Sequence, residues 1–163
     1  MAILKRYAGK KLKKSQFPAS TAKVGLVLSG PHELDNETMC YSQLSGIGKS
    51  IMMYQHDFGE QNPPDLQILV EKADVDPRAF VCRCTDDKAG EISYIYRGAD
   101  LDSSAPGDMI LAYDKLKNHP DVSINVLFAS TCVERCSKED FQAAIARDNE
   151  LRRELGLPEK PIE

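Results

Sequence analysis

Alternation of apolar and polar residues predicts a β-hairpin near the middle of the chain. Residues 79–85 and 91–97 both alternate, and the acidic turn DDKAG lies between them. Phe80, Cys82 and Cys84 would share one face of the first strand, because successive strand side chains point to opposite sides. The two cysteines of this hairpin are therefore placed on an apolar strand face.

The remaining C-terminal segments alternate between helical and strand patterns. Ser104 can cap a helix over 105–117, and residues 122–129 read as a strand. Ser137, with Asp140 three residues later, is typical of the start of a last helix. The apolar stripes of these two helices are Met109, Ile110, Tyr113 and Leu116 in the first, and Phe141, Ala144, Ile145, Leu151 and Leu155 in the second.

The N-terminal half gives a weaker pattern. Residues 3–14 favour a short helix and 23–29 a buried strand. Residues 36–58 carry apolar positions at helical spacing, but two glycines inside the stretch would each cost a helix about 1 kcal/mol. Two short strands are the alternative there, and 65–73 is likewise either a helix or a strand.

Together these elements predict one domain of the α+β class. A chain of 163 residues with 42% apolar residues is long enough for one core. We expect a single mixed, largely antiparallel sheet flanked by helices over 23–163, preceded by a basic arm over 1–22. No apolar run approaches the length of about 20 residues that a membrane span needs, and we expect a cytoplasmic protein. A mitochondrial presequence remains an alternative, because the arm lacks acids.

Charge is distributed unevenly along the chain. The first 14 residues contain six bases, whereas the 25 acids all lie from Glu33 onward. A basic arm on an acidic body predicts an anionic partner, either a phosphoinositide or RNA, and the alternative is a solvated tail. The lysines assigned to this contact are Lys10, Lys11, Lys13 and Lys14.

Five cysteines raise the question of metal or thiol chemistry. An odd number in a chain of this length does not indicate a disulfide framework. Four of them form Cys82-x-Cys84 and Cys132-x3-Cys136, and four thiolates could hold zinc. Because Cys82 and Cys84 are placed in a strand, buried core cysteines are the favoured interpretation, and no cofactor is expected. A thiol enzyme at Cys132 and Cys136 is a further alternative.

Catalytic motifs are otherwise absent from the sequence. Residues 46–50, GIGKS, resemble the end of a phosphate-binding loop, but Gln43 stands at the first glycine position and the helical stripe runs through the motif. The three histidines, His32, His56 and His119, are interpreted as surface or loop residues. Binding is therefore favoured over catalysis.

Residues 65–146 resemble the actin-depolymerising factor and cofilin family. The resemblance lies in the hairpin AFVCRCTDDKAGEISYIYRG, the loop Asp102-Ser103-Ser104-Ala105-Pro106 and the segment beginning Asp108-Met109. It implies an α+β fold of that family and a regulator of actin filament turnover.

In such a protein the 105–117 helix, through Met109 and Lys115, would enter a cleft on actin, and the basic arm would add contacts. Two alternatives stay open. One is an accessory subunit of a large assembly that docks on RNA or anionic lipid through its arm. The other is a zinc- or thiol-dependent enzyme.

Overall fold

Two helical layers enclose one sheet. A computed structural model describes the backbone of residues 31–119 and 123–163, and side chains from residue 38 onward within those ranges. Its elements are α1 (Pro31–Asp57), α2 (Gln67–Lys72), a 3-10 helix (Pro77–Phe80), β1 (Tyr94–Tyr96), β2 (Ile110–Asp114), β3 (Ile124–Phe128), β4 (Val133–Cys136) and α3 (Lys138–Glu154). The strands form one sheet in the order β1-β2-β3-β4, and all pairs are antiparallel. The predicted α+β class is confirmed.

Parts of the prediction lie outside the described residues. These are the helix over 3–14, the strand over 23–29 and the basic arm over 1–22. Among the helices of the described part of the chain, none combines the length and apolar character that a bilayer crossing requires.

The core has two parts, one on each face of the sheet. Leu127 of β3 belongs to the cluster that contains Ile47 of α1. The neighbouring Val126 belongs to the cluster that contains Phe141 of α3. Because adjacent strand residues point to opposite faces, α1 and α3 cover opposite sides of the sheet.

Helix α1 confirms the helical interpretation of residues 36–58. Gly48 lies where the helix crosses β3, and a Cβ atom there would come within 2.9 Å of Leu127 Cδ1. The glycine that lowers helix propensity therefore allows close packing of the helix on the sheet. The buried face of the helix carries Cys40, Leu44, Ile47 and Ile51.

The predicted helix over 105–117 is wrong, because β2 occupies its centre. A bulge between Ile110 and Ala112 interrupts the alternation of β2. As a result, Ile110 and Tyr113 pack on the α3 side, while Leu111 and Ala112 pack on the α1 side. A bulged strand buried on both faces has apolar residues three positions apart on one face, and this spacing imitates a helical stripe.

The first strand of the predicted hairpin, 79–85, is also wrong. Asp76 caps the 3-10 helix that starts at Pro77, with its Oδ1 accepting from the Arg78 amide at 2.9 Å. Residues 81–93, here called the Cys82 loop, follow as turns and irregular backbone with one isolated bridge, between Ala89 and Glu91. Within 91–97 only β1 is a strand, and it pairs with β2.

Two other predicted elements are confirmed, and the open choice between helix and strand at 65–73 is resolved as a helix. Residues 65–73 contain the helix α2, and 122–129 contain the strand β3. Ser137 caps α3, and its Oγ accepts from the Asp140 amide at 3.1 Å. Leu155 differs from the expectation, because it lies beyond the helix and is 51% exposed.

A buried carboxylate on α3 joins the helix to the sheet. Asp148 Oδ1 accepts from the Ile110 amide at 2.9 Å. Its Oδ2 accepts from Arg97 Nη2 at 2.7 Å and from Arg152 Nε at 3.1 Å. Arg152 also contacts both oxygens of Asp100, at 3.0 and 2.9 Å. Each charge in this network is therefore paired, as burial requires.

Arg97 of this network also holds the C-terminal segment. Arg97 donates to the carbonyl oxygens of Lys160 and Pro161, at 2.9 Å each. Asn149 bonds both the amide and the carbonyl of Lys160, at 3.0 and 3.1 Å. The side chain of Lys160 adds contacts, since its Nζ donates to the Arg97 carbonyl and to Asp100 Oδ1, at 2.8 Å each. Both the backbone and a side chain of the segment are therefore held.

Substitution of Asp148 by Asn should destabilise the fold strongly. The change leaves two buried arginines without a shared counter-charge, and we expect a loss of about 3–5 kcal/mol in the free energy of unfolding, measured by urea denaturation. Glu150→Gln is the control, because Glu150 pairs with Arg147 on the exposed side of the same helix. Its effect should stay below about 1 kcal/mol. Equal losses in the two variants would contradict this account.

Candidate metal centre

Three segments bring four metal-ligating side chains together. Cys40 comes from α1, Cys82 and Cys84 from the Cys82 loop, and His119 from the connection between β2 and β3. Their ligand atoms all lie within 4.8 Å of one another. Three sulfurs and one imidazole nitrogen therefore converge on a single point of the structure.

Hydrogen-bond distances define the centre of this cluster. Cys40 Sγ lies 3.0 Å from Cys82 Sγ, and Cys82 Sγ lies 3.4 Å from His119 Nε2. The amide of Cys84 is 3.4 Å from Cys82 Sγ. Cys82 is thus the sulfur that the other three residues share.

Hydrogen bonds within the Cys82 loop and from α1 fix the backbone around Cys82. The Thr85 amide donates to the Cys82 carbonyl at 3.2 Å, and Thr85 Oγ1 donates to the same oxygen at 2.9 Å. Gln43 of α1 donates through Nε2 to the carbonyls of Val81 at 3.1 Å and Arg78 at 3.2 Å. Polar contacts from α1 therefore dock the loop beside Cys40.

Burial differs among the four residues. Cys40 and Cys82 have no exposed surface, and His119 is 7% exposed. Cys84 lies on the solvent side. The cluster is therefore an interior site with one sulfur at its surface.

Electrostatics couple the two interior thiols. Their mutual hydrogen bond lowers the pKa of Cys40 and raises that of Cys82. His119 and the backbone amide of Arg83 further favour the charged form of Cys40. The two sulfurs therefore share one hydrogen bond, in which either can be the donor.

The buried carboxylate of Asp114 lies close to His119. Asp114 Oδ2 lies 3.8 Å from His119 Nε2 and accepts from the amide and the Nδ2 of Asn125, at 3.0 and 2.7 Å. Burial raises the pKa of Asp114 to about 6, against the lowering effects of Asn125 and His119. Its other oxygen, Oδ1, is buried and has no hydrogen-bond partner in the structure.

These four residues could hold a metal ion. Thiolate and imidazole are ligands for soft or borderline metals, and a thiolate set does not suit magnesium or calcium. None of the four ligands is a carboxylate.

The structure regroups the cysteines that the sequence singled out. Cys82 and Cys84 belong to the cluster. Cys132 lies exposed on the turn between β3 and β4, and Cys136 is buried in the core beneath α3. The interpretation of Cys82-x-Cys84 as strand cysteines fails because the segment is a loop.

Sequence reasoning missed two members of the cluster. Cys40 falls on the apolar stripe of α1, so its thiol is indistinguishable by pattern from a core residue. His119, interpreted as a surface or loop residue, does lie in the connection between β2 and β3, but it is buried there. The C-x-C pair was the only available sequence signal for a metal site. It does not indicate which residues from distant segments complete the ligand set.

The residues predicted to contact a partner lie apart from the cluster. Met109 has no exposed surface and packs in the α1-side core. Lys115 is half-buried and donates through Nζ to the Ile92 carbonyl. Lys10, Lys11, Lys13 and Lys14 lie outside the described residues.

Comparison with known proteins adds no assignment. No family model, no curated protein and no solved structure matches the chain. The resemblance to the actin-depolymerising factor and cofilin family therefore rests on the sequence motifs, and actin binding stays a prediction.

Thiol reactivity should follow burial. In the folded, metal-free protein we expect Cys84 and Cys132 to react promptly with a chromogenic disulfide reagent, because they are the exposed cysteines. Cys40, Cys82 and Cys136 should react only after denaturation. Prompt reaction of all five thiols in native buffer would contradict the packing of the cluster.

Proposed function

We propose that this protein is a zinc-binding domain whose metal centre fixes α1 and the Cys82 loop to the sheet, and that it acts through binding rather than catalysis. The convergence of Cys40, Cys82, Cys84 and His119 within 4.8 Å supports this proposal. Three thiolates and one histidine are a common ligand set for structural zinc.

The observed distances fit a tetrahedral zinc after small movements. Zn–S bonds of about 2.3 Å and Zn–N bonds of about 2.0 Å place two sulfurs about 3.8 Å apart and a sulfur and a nitrogen about 3.6 Å apart. The distances between Cys82 and its neighbours are 3.0 Å to Cys40 Sγ and 3.4 Å to His119 Nε2. Shifts below about 1 Å would therefore accommodate the ion.

Ligand number and burial favour a structural role for the ion. Catalytic zinc keeps one coordination position open, whereas four protein ligands close the coordination sphere. Cys40, Cys82 and His119 are buried, so these three ligands would shield the ion from a substrate on their side of the site. The chemistry that zinc supplies at this site is cross-linking.

The Cys82 loop is the segment that a bound ion would stabilise most. Residues 81–93 have little regular backbone structure, so ordering them costs conformational entropy that hydrogen bonds alone offset poorly. An ion held by α1, the loop and His119 would offset this cost, because its binding free energy contributes directly to folding.

Purified protein should contain about one zinc ion per chain. We expect Cys82→Ser and His119→Ala to lose most of it, because each removes a ligand that the remaining set cannot replace. The measurement is elemental analysis after gel filtration, together with the thiolate-to-cobalt absorption of protein reconstituted with Co²⁺.

Cys132→Ser is the matched control for these variants, since Cys132 lies outside the cluster. It should retain zinc and thermal stability, whereas a chelator should destabilise the wild type. A metal-free wild type that remains folded and takes up no cobalt would refute the zinc centre.

The binding role that we propose is regulation of actin filament turnover. Its support is the family resemblance of residues 65–146 and the basic composition of the first 14 residues. Because Met109 is buried, contact with actin would fall to the basic arm and to exposed residues near Lys115 rather than to a helix over 105–117.

Co-sedimentation with actin filaments tests this role. We expect the full chain at micromolar concentration to pellet with filaments, and a variant with Lys10, Lys11, Lys13 and Lys14 changed to Ala to bind more weakly and with a smaller dependence on salt. A parallel assay with phosphoinositide vesicles and with RNA separates the alternative docking partners. Absence of binding and severing in the filament assay would reject actin as the partner.

A further inference from the structure

Exposure separates the sulfurs of the metal centre into two kinds. Cys84 is exposed, whereas Cys40 and Cys82 have no exposed surface. A reagent dissolved in water therefore meets Cys84 first. The second exposed cysteine, Cys132, lies outside the cluster and has no thiol partner there.

The two interior sulfurs are close to bonding distance. Cys40 Sγ and Cys82 Sγ are 3.0 Å apart, and a disulfide requires about 2.05 Å. The two residues lie on different segments, so a bond between them avoids the strained small ring that Cys82 and Cys84 would form. The pair closes with a movement of about 1 Å from this separation, and of about 2 Å from the separation that a bound zinc would impose.

We propose that Cys84 is an oxidative modification site that a hydroperoxide attacks, and that the oxidation ends in a Cys40–Cys82 disulfide with release of the metal. The inference rests on the zinc centre proposed above, because zinc holds Cys84 as the thiolate that reacts. It adds a class of reactant and a regulatory outcome to that site.

The reaction balances without any further reagent. The Cys84 thiolate attacks the hydroperoxide, so that an S–O bond forms, the O–O bond breaks, and the alkoxide or hydroxide leaves and takes a proton. The Cys40 thiolate then attacks the sulfenic sulfur and releases hydroxide, which is protonated to water. The Cys82 thiolate attacks the Cys40 sulfur of this disulfide and releases the Cys84 thiolate.

Two thiolates are thereby oxidised by two electrons, and one hydroperoxide is reduced. The centre retains only Cys84 and His119 as ligands after this step, because disulfide sulfurs no longer carry the negative charge that binds zinc. One zinc ion should leave for each disulfide formed. The new bond still joins α1 to the Cys82 loop, so the oxidised protein should stay folded.

A pulse of hydrogen peroxide below one equivalent, applied to the zinc-loaded full chain with dimedone present, tests the proposal. Peptide mass spectrometry should find dimedone on Cys84 roughly ten-fold more often than on Cys132, because a bound zinc ion would hold the Cys84 sulfur as a thiolate and would leave Cys132 unaffected. Without dimedone, a Cys40–Cys82 disulfide should form while a zinc indicator reports equimolar release.

Dimedone itself intercepts the second step, so it supplies a control that leaves all four zinc ligands in place. As the dimedone concentration rises, the adduct on Cys84 should increase and the Cys40–Cys82 disulfide should decrease. Cys132→Ser should behave like the wild type in both zinc release and disulfide formation. Circular dichroism on this variant before oxidation establishes that it is folded.

Each outcome decides one of the two proposals. Zinc-loaded protein that keeps its ion under peroxide, or that is labelled mainly at Cys132, would overturn the oxidation proposal and leave the zinc centre standing. Protein purified without zinc that takes up no cobalt would refute the zinc centre, and with it the oxidation proposal that rests on it.

Discussion

The buried carboxylate of Asp148 is the interaction on which the α3 side of the structure depends. One of its oxygens accepts from the backbone of β2, and the other accepts from Arg97 and Arg152. Desolvating these charges is costly, and the cost is offset only while every member of the set is paired. The network therefore favours one arrangement of sheet, helix and C-terminal segment, because a displacement of α3 would separate Arg97 from Asp148 and Arg152 from Asp100.

The opposite face of the sheet is held differently. There α1 packs through apolar side chains, with Gly48 allowing its approach to Leu127. Apolar packing fixes the position of the helix but does little for the neighbouring loop, whose residues are mostly polar or half-buried. The cluster of Cys40, Cys82, Cys84 and His119 lies where α1 meets this loop. A soft metal bound there would order the part of the molecule that the hydrophobic effect orders least.

The sequence predicts an element well where one face is buried and the helix or strand period is undisturbed. Helix α3 meets that condition, and its cap at Ser137 was predicted correctly. Strand β2 does not, because burial on both faces and a bulge give it the spacing of a helix. The cluster could be predicted only in half, as Cys82 and Cys84. Cys40 and His119 join it through tertiary folding, which no local period encodes.

The location of α1 at the start of the described chain has a consequence for biosynthesis. Its apolar face contacts β3, which follows much later in the sequence, and its thiol meets His119 just before that strand. During synthesis on the ribosome, the apolar residues of α1 that pack on β3 therefore stay exposed until the central strands have emerged. We expect nascent chains stalled before β3 to depend on chaperones, and the thiol of Cys40 to be protected only when translation has passed that strand.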